Sequence, residues 1–299
     1  MRRRHGMRTL RLASAAMVAL AACGFSAQAQ DRRPESGKLI ATAGLIQIEG
    51  AGGGGLAPWA LITGYGTRDA VGASVHGTAV RVTNFTLSTL GVAVGLYDRL
   101  ELSYARQFFD TGATGRALGL GGGYQFSQDV YGAKLRLFGD GVLDQDSWVP
   151  QVAAGVQYKV NNRGAVLHAI GARSDQGADF YVAATKLFLA QSLLLNATMR
   201  LTRANQIGIL GFGGDRNNAY RPEFEGSVAV LLSRNVAVGA EYRTKPNNLR
   251  FAQESDWYDA FVTWLPIKAI SATLAYVNLG SIATRKHQEG IYASIQLGF

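Results

Sequence analysis

An all-β fold, a transmembrane up-and-down antiparallel barrel, is what three observations on this 299-residue sequence predict. Residues 290–299 alternate to the final position, with Ile291, Ala293, Ile295, Leu297 and Phe299 on one face and Tyr292, Ser294 and Gln296 on the other. Strand side chains repeat with a period of two, so this run has one apolar face and one polar face. The same alternation returns along the chain in segments of about ten residues, the length a tilted strand needs to cross a bilayer. The composition agrees. Charged residues make up 17%, against about 25% in ordinary soluble domains, while Gly is common at 37 and Pro scarce at 6. No run of eighteen apolar residues follows the amino-terminal segment, so a spanning helix is not expected.

The amino terminus reads as a secretory signal peptide. Arg2, Arg3, Arg4, Arg8 and Arg11 precede an apolar stretch at 12–22, which is too short to span as a helix. Ala27-Gln28-Ala29 offers a small-x-small cleavage site, which sets the signal peptide at 1–29 and a single barrel domain at 30–299. Leu20-Ala21-Ala22-Cys23 offers a competing, lipobox-like site. An intact mass that starts at Gln30 is the expected result; a diacylated Cys23 would overturn it. Five of the 30 Lys+Arg and none of the 21 Asp+Glu precede Gln30, so the chain beyond it carries 25 against 21, a net +4. The basic character therefore resides largely in the signal peptide and does not point to nucleic acid. Cys23 is the only cysteine, which leaves the mature chain without disulfides or thiol chemistry.

Counting back from the last strand, the alternation predicts strands near 269–278, 257–266, 235–245, 221–232, 192–203, 178–190, 148–159, 126–138, 100–110, 84–97, 70–77 and 56–66. A further strand near 38–48 makes about fourteen, the even number expected of a closed single-chain barrel. If 56–66 is instead a lid or plug, twelve remain. In 100–108, Arg106 breaks the apolar face. Short turns at 97–99, 190–191, 233–235 and 266–268 alternate with long polar loops at 111–123, 160–177, 204–220, 246–256 and 279–288, the two ends of an outer-membrane barrel. Pro58, Pro150, Pro222, Pro246 and Pro266 are expected at strand starts and ends, where no ladder donor is lost. Trp59, Trp148, Trp257 and Trp264, with eight tyrosines including Tyr65 and Tyr181, are candidates for the two interfacial girdles.

Little in the sequence suggests catalysis. His5, His76, His168 and His287 show no metal-like spacing, and no nucleophile–base pair stands out, so neither an enzyme nor a cofactor is expected. Asp144-Gln145-Asp146 is a weak cation candidate. The run 52–55, four glycines, is not followed by Lys-Ser or Lys-Thr, so it is a flexible turn and not a phosphate loop. The informative pattern is charge on the inward face. Lys134, Arg136, Lys159, Lys186 and Arg200 come from middle strands; Glu223, Glu225, Glu241 and Asp259, with Arg243 among them, come from later ones. Sequence order is angular order around a barrel, so a basic arc should face an acidic one. Two readings stay open: a transverse field across a water-filled pore, or an ion-pair network that fills a closed interior.

A strand that ends on an aromatic carboxy terminus resembles the signal by which outer-membrane barrels are recognised for assembly, here Ile295, Leu297 and Phe299. The stretch Ile48-Glu49-Gly50-Ala51-Gly52-Gly53-Gly54-Gly55-Leu56-Ala57-Pro58-Trp59-Ala60 resembles the opening of a proteobacterial outer-membrane barrel family of unknown function. That resemblance implies the barrel and its location but brings no activity or site residues. A weaker likeness, to barrels associated with exopolysaccharide production, rests on residues 149–157 and 180–186. The resulting expectation is a porin-like channel for small polar solutes in the bacterial outer membrane, reached through the periplasm. Its partners would be outer-membrane lipids and the barrel-assembly machinery. The alternatives are a structural or assembly barrel with a closed interior, linked to a surface-polymer pathway, and, third, a lipid-modifying enzyme.

Overall fold

The computed structural model describes Lys38, Leu39 and residues 45–299; the expectations for 1–29, including the cleavage site and Cys23, lie outside them. Among the described residues, twelve strands form one closed antiparallel barrel. They are β1 (Val71–Val82), β2 (Thr86–Leu96), β3 (Leu100–Asp110), β4 (Gln125–Phe138), β5 (Gln151–Asn161), β6 (Gln176–Phe188), β7 (Leu193–Thr202), β8 (Arg221–Leu231), β9 (Val236–Arg243), β10 (Trp257–Ile267), β11 (Ile270–Asn278) and β12 (Glu289–Gly298). Each pairs with its sequence neighbours, and β1 closes on β12 from Ser74↔Gly298 to Val82↔Gly290. Two short helices, α1 (Gly112–Ala117) and α2 (Gly164–Ala169), sit in loops.

The count is twelve, not fourteen. Residues 56–66 form no strand, and the described part of 38–48 contributes only an isolated bridge, Ile46↔Gly52. Four consecutive glycines and Pro58 weaken an alternating ladder here, and side chains of the closed wall, Glu101 and Glu241 among them, take the backbone hydrogen bonds that a neighbouring strand would. This segment lies buried inside the barrel instead. Pro58 therefore starts no strand, whereas Pro266 sits at the irregular register between Trp264 and Ile267 at the end of β10.

The outward face is apolar. Leu90, Val92, Val182, Leu195, Met199, Val228, Leu274, Ile291 and Ile295 are all exposed, as a bilayer-facing surface requires. Arg106 also points outward, but it pairs with Asp129 at 3.2 Å, and the Tyr104 hydroxyl donates to the same carboxylate at 2.7 Å. Near that level, Tyr158 bonds Gln176, Tyr242 bonds Asp256 and Tyr276 bonds Glu289. These tyrosines mark where the apolar band ends on the long-loop side. Tyr97, Trp148 and Trp264 are exposed toward the short-turn side. Trp59, Tyr65, Tyr181 and Trp257 are buried, so they belong to neither girdle.

This placement predicts a depth-dependent cost. Ala197→Arg, at mid-strand between the exposed Leu195 and Met199, should destabilise the barrel by about 2–4 kcal/mol, whereas Arg106→Leu near the interface should cost about 0–1 kcal/mol. Unfolding in urea from lipid vesicles measures both.

Candidate functional site in the barrel lumen

Period-two alternation turns Glu101, Lys134, Gln157, Lys159, Asp179, Thr185, Thr198, Arg200, Ser227, Glu225, Glu241, Arg243 and Asp259 inward, all of them buried. They are buried because residues 45–66 fill the lumen against them. This inner segment makes two tight reversals, closed by Gln47 N to Ala51 O at 2.8 Å and Gly54 N to Ala57 O at 2.9 Å.

The glycine run is the docking surface. Gly52 N and Thr63 N both donate to the Glu101 carboxylate at 2.9 Å. Lys134 Nζ lies 2.9 Å from the same carboxylate and donates to the carbonyls of Gly52, Trp59 and Leu61. On the opposite wall, Glu241 accepts from Leu56 N at 2.7 Å and from Ser227 Oγ at 2.6 Å. A Cβ on Gly54 would stand 1.9 Å from Glu241 Oε1, and one on Gly52 2.8 Å from Glu101 Oε2. The run is glycine because wall carboxylates approach the bare backbone, a role that reading it as a flexible turn missed. Thr185, Thr198, Gln151 and Ser227 add further hydrogen bonds to Ala60 N, Pro58 O, Ala60 O and Trp59 Nε1.

One inner-segment side chain enters the ionic centre. Glu49 pairs with Lys159 and with Arg243, the latter at 2.5 Å. Lys159 also pairs with Asp179, and Arg200 and Arg243 share Glu225 at 2.5 and 3.1 Å. The basic and acidic arcs thus interdigitate into neutral clusters and do not face each other across a gap. The exception is Glu241 with Asp259: neither has a cation within salt-bridge distance among the described residues, and Asp259 accepts from Glu241 N at 3.1 Å.

Other residues singled out from the sequence fall elsewhere. Lys186 shares its phase with the outward Phe180 and Val182; it is buried because the 139–150 connection folds over it, offering the carbonyls of Asp140, Asp144 and Val149. Arg136 sits at the short-turn rim with Asp98 and Asp140. Glu223 sits at the long-loop rim, where it accepts from Thr244 Oγ1. Ile295 and Phe299 are exposed, and the Phe299 carbonyl accepts from Tyr65 N at 2.8 Å and Ala73 N at 3.1 Å. Glu49 and Asp179 are the central residues the charge pattern omitted. Counting by two through β6 places Asp179 with Tyr181 and Ala183 on the inward face, but Glu49 lies in no strand and carries no such signal.

The long-loop end is closed separately. Residues 203–214 fold into the mouth, where Ile207 and Ile209 join Val80, Val82, Phe85, Leu87, Phe109, Leu279 and Ile282 in an apolar cap. Beside it, Lys245 and Glu254 pair at 3.2 Å, with Lys245 4.2 Å from the Trp257 ring centre. Burial pushes the Lys245 ammonium down and the Glu254 carboxyl up, and each partner's charge offsets this only in part. At the other mouth, Lys38 pairs with Asp98 at 2.8 Å, and burial outweighs that contact to lower its pKa. The cavities beside Trp257 and Asp259 measure about 20 and 10 Å³, the size of a water or two. Among the described residues, no group of three or more His, Cys, Asp or Glu could hold a metal ion. Among the described residues, neither ring nitrogen of His76 has a hydrogen-bond partner.

A closed strand ring, an apolar exterior and a polar lumen occupied by residues 45–66 of the same chain define an outer-membrane-type β-barrel with an internal plug. Residues 42–296 match the family described as "Protein of unknown function (DUF3034)", and the chain belongs to that family. No curated protein matches it by sequence. Solved structures similar to it include the KdgM porin, at 9% identity and TM-score 0.49, covering 76% of this chain and 99% of that one. The COG4313 outer membrane channel from Pseudomonas putida F1 is similar at 11% identity and TM-score 0.44, covering 81% and 96%. Outer membrane phospholipase A from Escherichia coli is similar at 8% identity and TM-score 0.41, covering 79% and 94%.

Proposed function

We propose that this protein is a channel for small polar solutes in the bacterial outer membrane, closed by its inner segment at 45–66. The observation that carries the reading is the chemistry of the wall behind that segment. Glu101, Lys134, Gln157, Thr185, Thr198, Ser227 and Glu241 would line a hydrophilic passage once the segment left. Besides its buried apolar side chains and the Glu49 ion pairs, the segment is held by hydrogen bonds from the wall to its backbone, and water can replace each of those. With the segment out, the buried wall cations Lys134, Lys159, Arg200 and Arg243 stand against the carboxylates Glu101, Asp179, Glu225, Glu241 and Asp259, a near balance that suits uncharged polar solutes.

In this reading the chain crosses the periplasm behind its signal peptide, and the assembly machinery recognises Ile295, Leu297 and Phe299. Lipid then solvates the apolar exterior. No catalysis is proposed, because no described histidine bonds a serine, aspartate or glutamate side chain.

Planar-bilayer recording tests the function. The full chain should give small or rare openings, and a chain lacking residues 30–60 should conduct steadily after its folding is verified by heat-modifiable mobility. A folded but silent truncated chain would favour the second reading, a structural barrel, which the complete filling of the lumen supports.

A further inference from the structure

We infer that the inner segment and the inward-folded loop at 203–214 form one coupled gate, latched by the same wall residues. Lys159 Nζ bonds Glu49 of the inner segment, Asp179 of the wall at 2.5 Å and the Ile207 carbonyl of the loop at 3.1 Å. A second latch runs in parallel. Gln107 Nε2 donates to Ile48 O at 2.9 Å, Gln128 Nε2 donates to Gln107 Oε1 at 2.9 Å, and the same Gln128 nitrogen donates to Ile207 O at 3.1 Å. Both latches thus end on one loop carbonyl and begin on two adjacent residues of the segment. Asp179 ties the loop's root as well: its other oxygen accepts from Thr202 Oγ1 at 2.5 Å, and Thr202 Oγ1 accepts from Ala204 N at 2.9 Å.

The backbone at the latch is strained. Gln206 and Ile207 hold φ of 45° and 58°, the left-handed region that a β-branched residue in particular avoids. Glu254, accepting from Gln206 N at 2.8 Å, and the two donors on Ile207 O fix this conformation. Strain of this kind persists only where the surroundings over-determine it. Removing Glu49 from Lys159 leaves an excess cation among Asp179, Arg200 and the loop carbonyl. That cluster then rearranges, the hold on Ile207 weakens, and the strained turn can relax outward. The reverse path follows from thermodynamic reciprocity: release of the loop must weaken the segment's seat by the same factor. The closure at one mouth therefore reports on the closure at the other.

The coupling is a regulation of the proposed channel, yet its test does not need conductance. In a full chain carrying Cys23→Ala, Ala204→Cys places a thiol at the buried loop root, and Ala57→Cys places one in the buried inner segment. The readout is the labelling rate by a water-soluble maleimide in vesicles. Glu49→Gln disturbs the segment end alone and Glu254→Ala the loop end alone. Coupling predicts that each raises labelling at the far cysteine by about tenfold, within the range typical of linked sites. Far-site labelling that stays within about twofold, whether or not the near site speeds up, would overturn it. Should Glu49→Gln fail to fold, Gln128→Leu removes a donor from Ile207 O at the loop, and its far-site reading is the labelling of Ala57→Cys in the segment. Coupled labelling in a protein that never conducts would retire the channel reading and leave the coupled closure standing.

Discussion

Replacing Gly54 with leucine is expected to unseat the inner segment and turn a mostly closed barrel into a steadily conducting one. The new side chain would begin 1.9 Å from Glu241 Oε1, far inside any tolerated contact. Glu241 cannot simply swing aside, because it accepts from Ser227 Oγ and Leu56 N, and Asp259 holds its backbone N–H. The clash is relieved most easily by lifting residues 53–57 off the wall, which breaks the Leu56 bond and draws on the neighbouring seat at Glu101. Overpacking typically costs about 1–3 kcal/mol, and a carboxylate left unpaired adds about as much again. That sum is large enough to empty the closed state while the strand ladder stays whole. Conductance in planar bilayers and the thermal midpoint are the two readouts. Gly77→Ala is the control: its added methyl points outward and meets only Leu90 Cδ2, at 3.5 Å, so it should change neither. An unchanged conductance in folded Gly54→Leu would mean that the segment stays seated or that the 203–214 cap holds the long-loop mouth shut without it.

Lys134→Met is expected to produce the largest loss of stability. Lys134 is completely buried and has four partners: the Glu101 carboxylate and the carbonyls of Gly52, Trp59 and Leu61. Methionine keeps the stem's shape but strands a buried carboxylate. Removing one partner of a buried ion pair costs about 3–5 kcal/mol, most of it the penalty on the charge left behind. The double variant Lys134→Met with Glu101→Gln should therefore recover much of the loss, since the introduced amide oxygen can still accept from one backbone N–H. Urea unfolding in vesicles gives the cycle directly. If the double variant is as unstable as the single one, the carbonyl contacts of Lys134, and not its charge, are what holds that wall.

Much of the barrel was legible because membrane strands obey a simple rule. One face of each segment must be apolar, so a period of two survives in the sequence even when little else does. Each of the twelve strands overlaps a predicted alternating segment, although β1 runs on to Val82, past the expected end at 77, and the residue that broke the pattern, Arg106, proved to face outward with Asp129 at the interface. What the alternation could not reveal was the fate of residues 45–66. That stretch has β-like residues flanking its glycines, and only the closed ring, with its polar interior needing a partner, makes it a filling in place of two more strands. Lys186 misled for a related reason. It sits on the outward phase, and a lysine there is tolerable only because a twelve-residue connection, 139–150, wraps it in carbonyls.

The sequence by itself determined the class of structure, the apolar face of most strands and the closing strand at Phe299, because each follows from local periodicity and from the cost of exposing polar groups to lipid. The tertiary structure alone decided that the lumen is filled, that the glycine run is a seat for Glu101 and Glu241, and that Glu49, Lys159 and Ile207 meet. Those contacts join residues tens to hundreds of positions apart across a ring. Hydrogen-bond geometry and charge pairing at that range depend on the closed circumference, which no local pattern encodes.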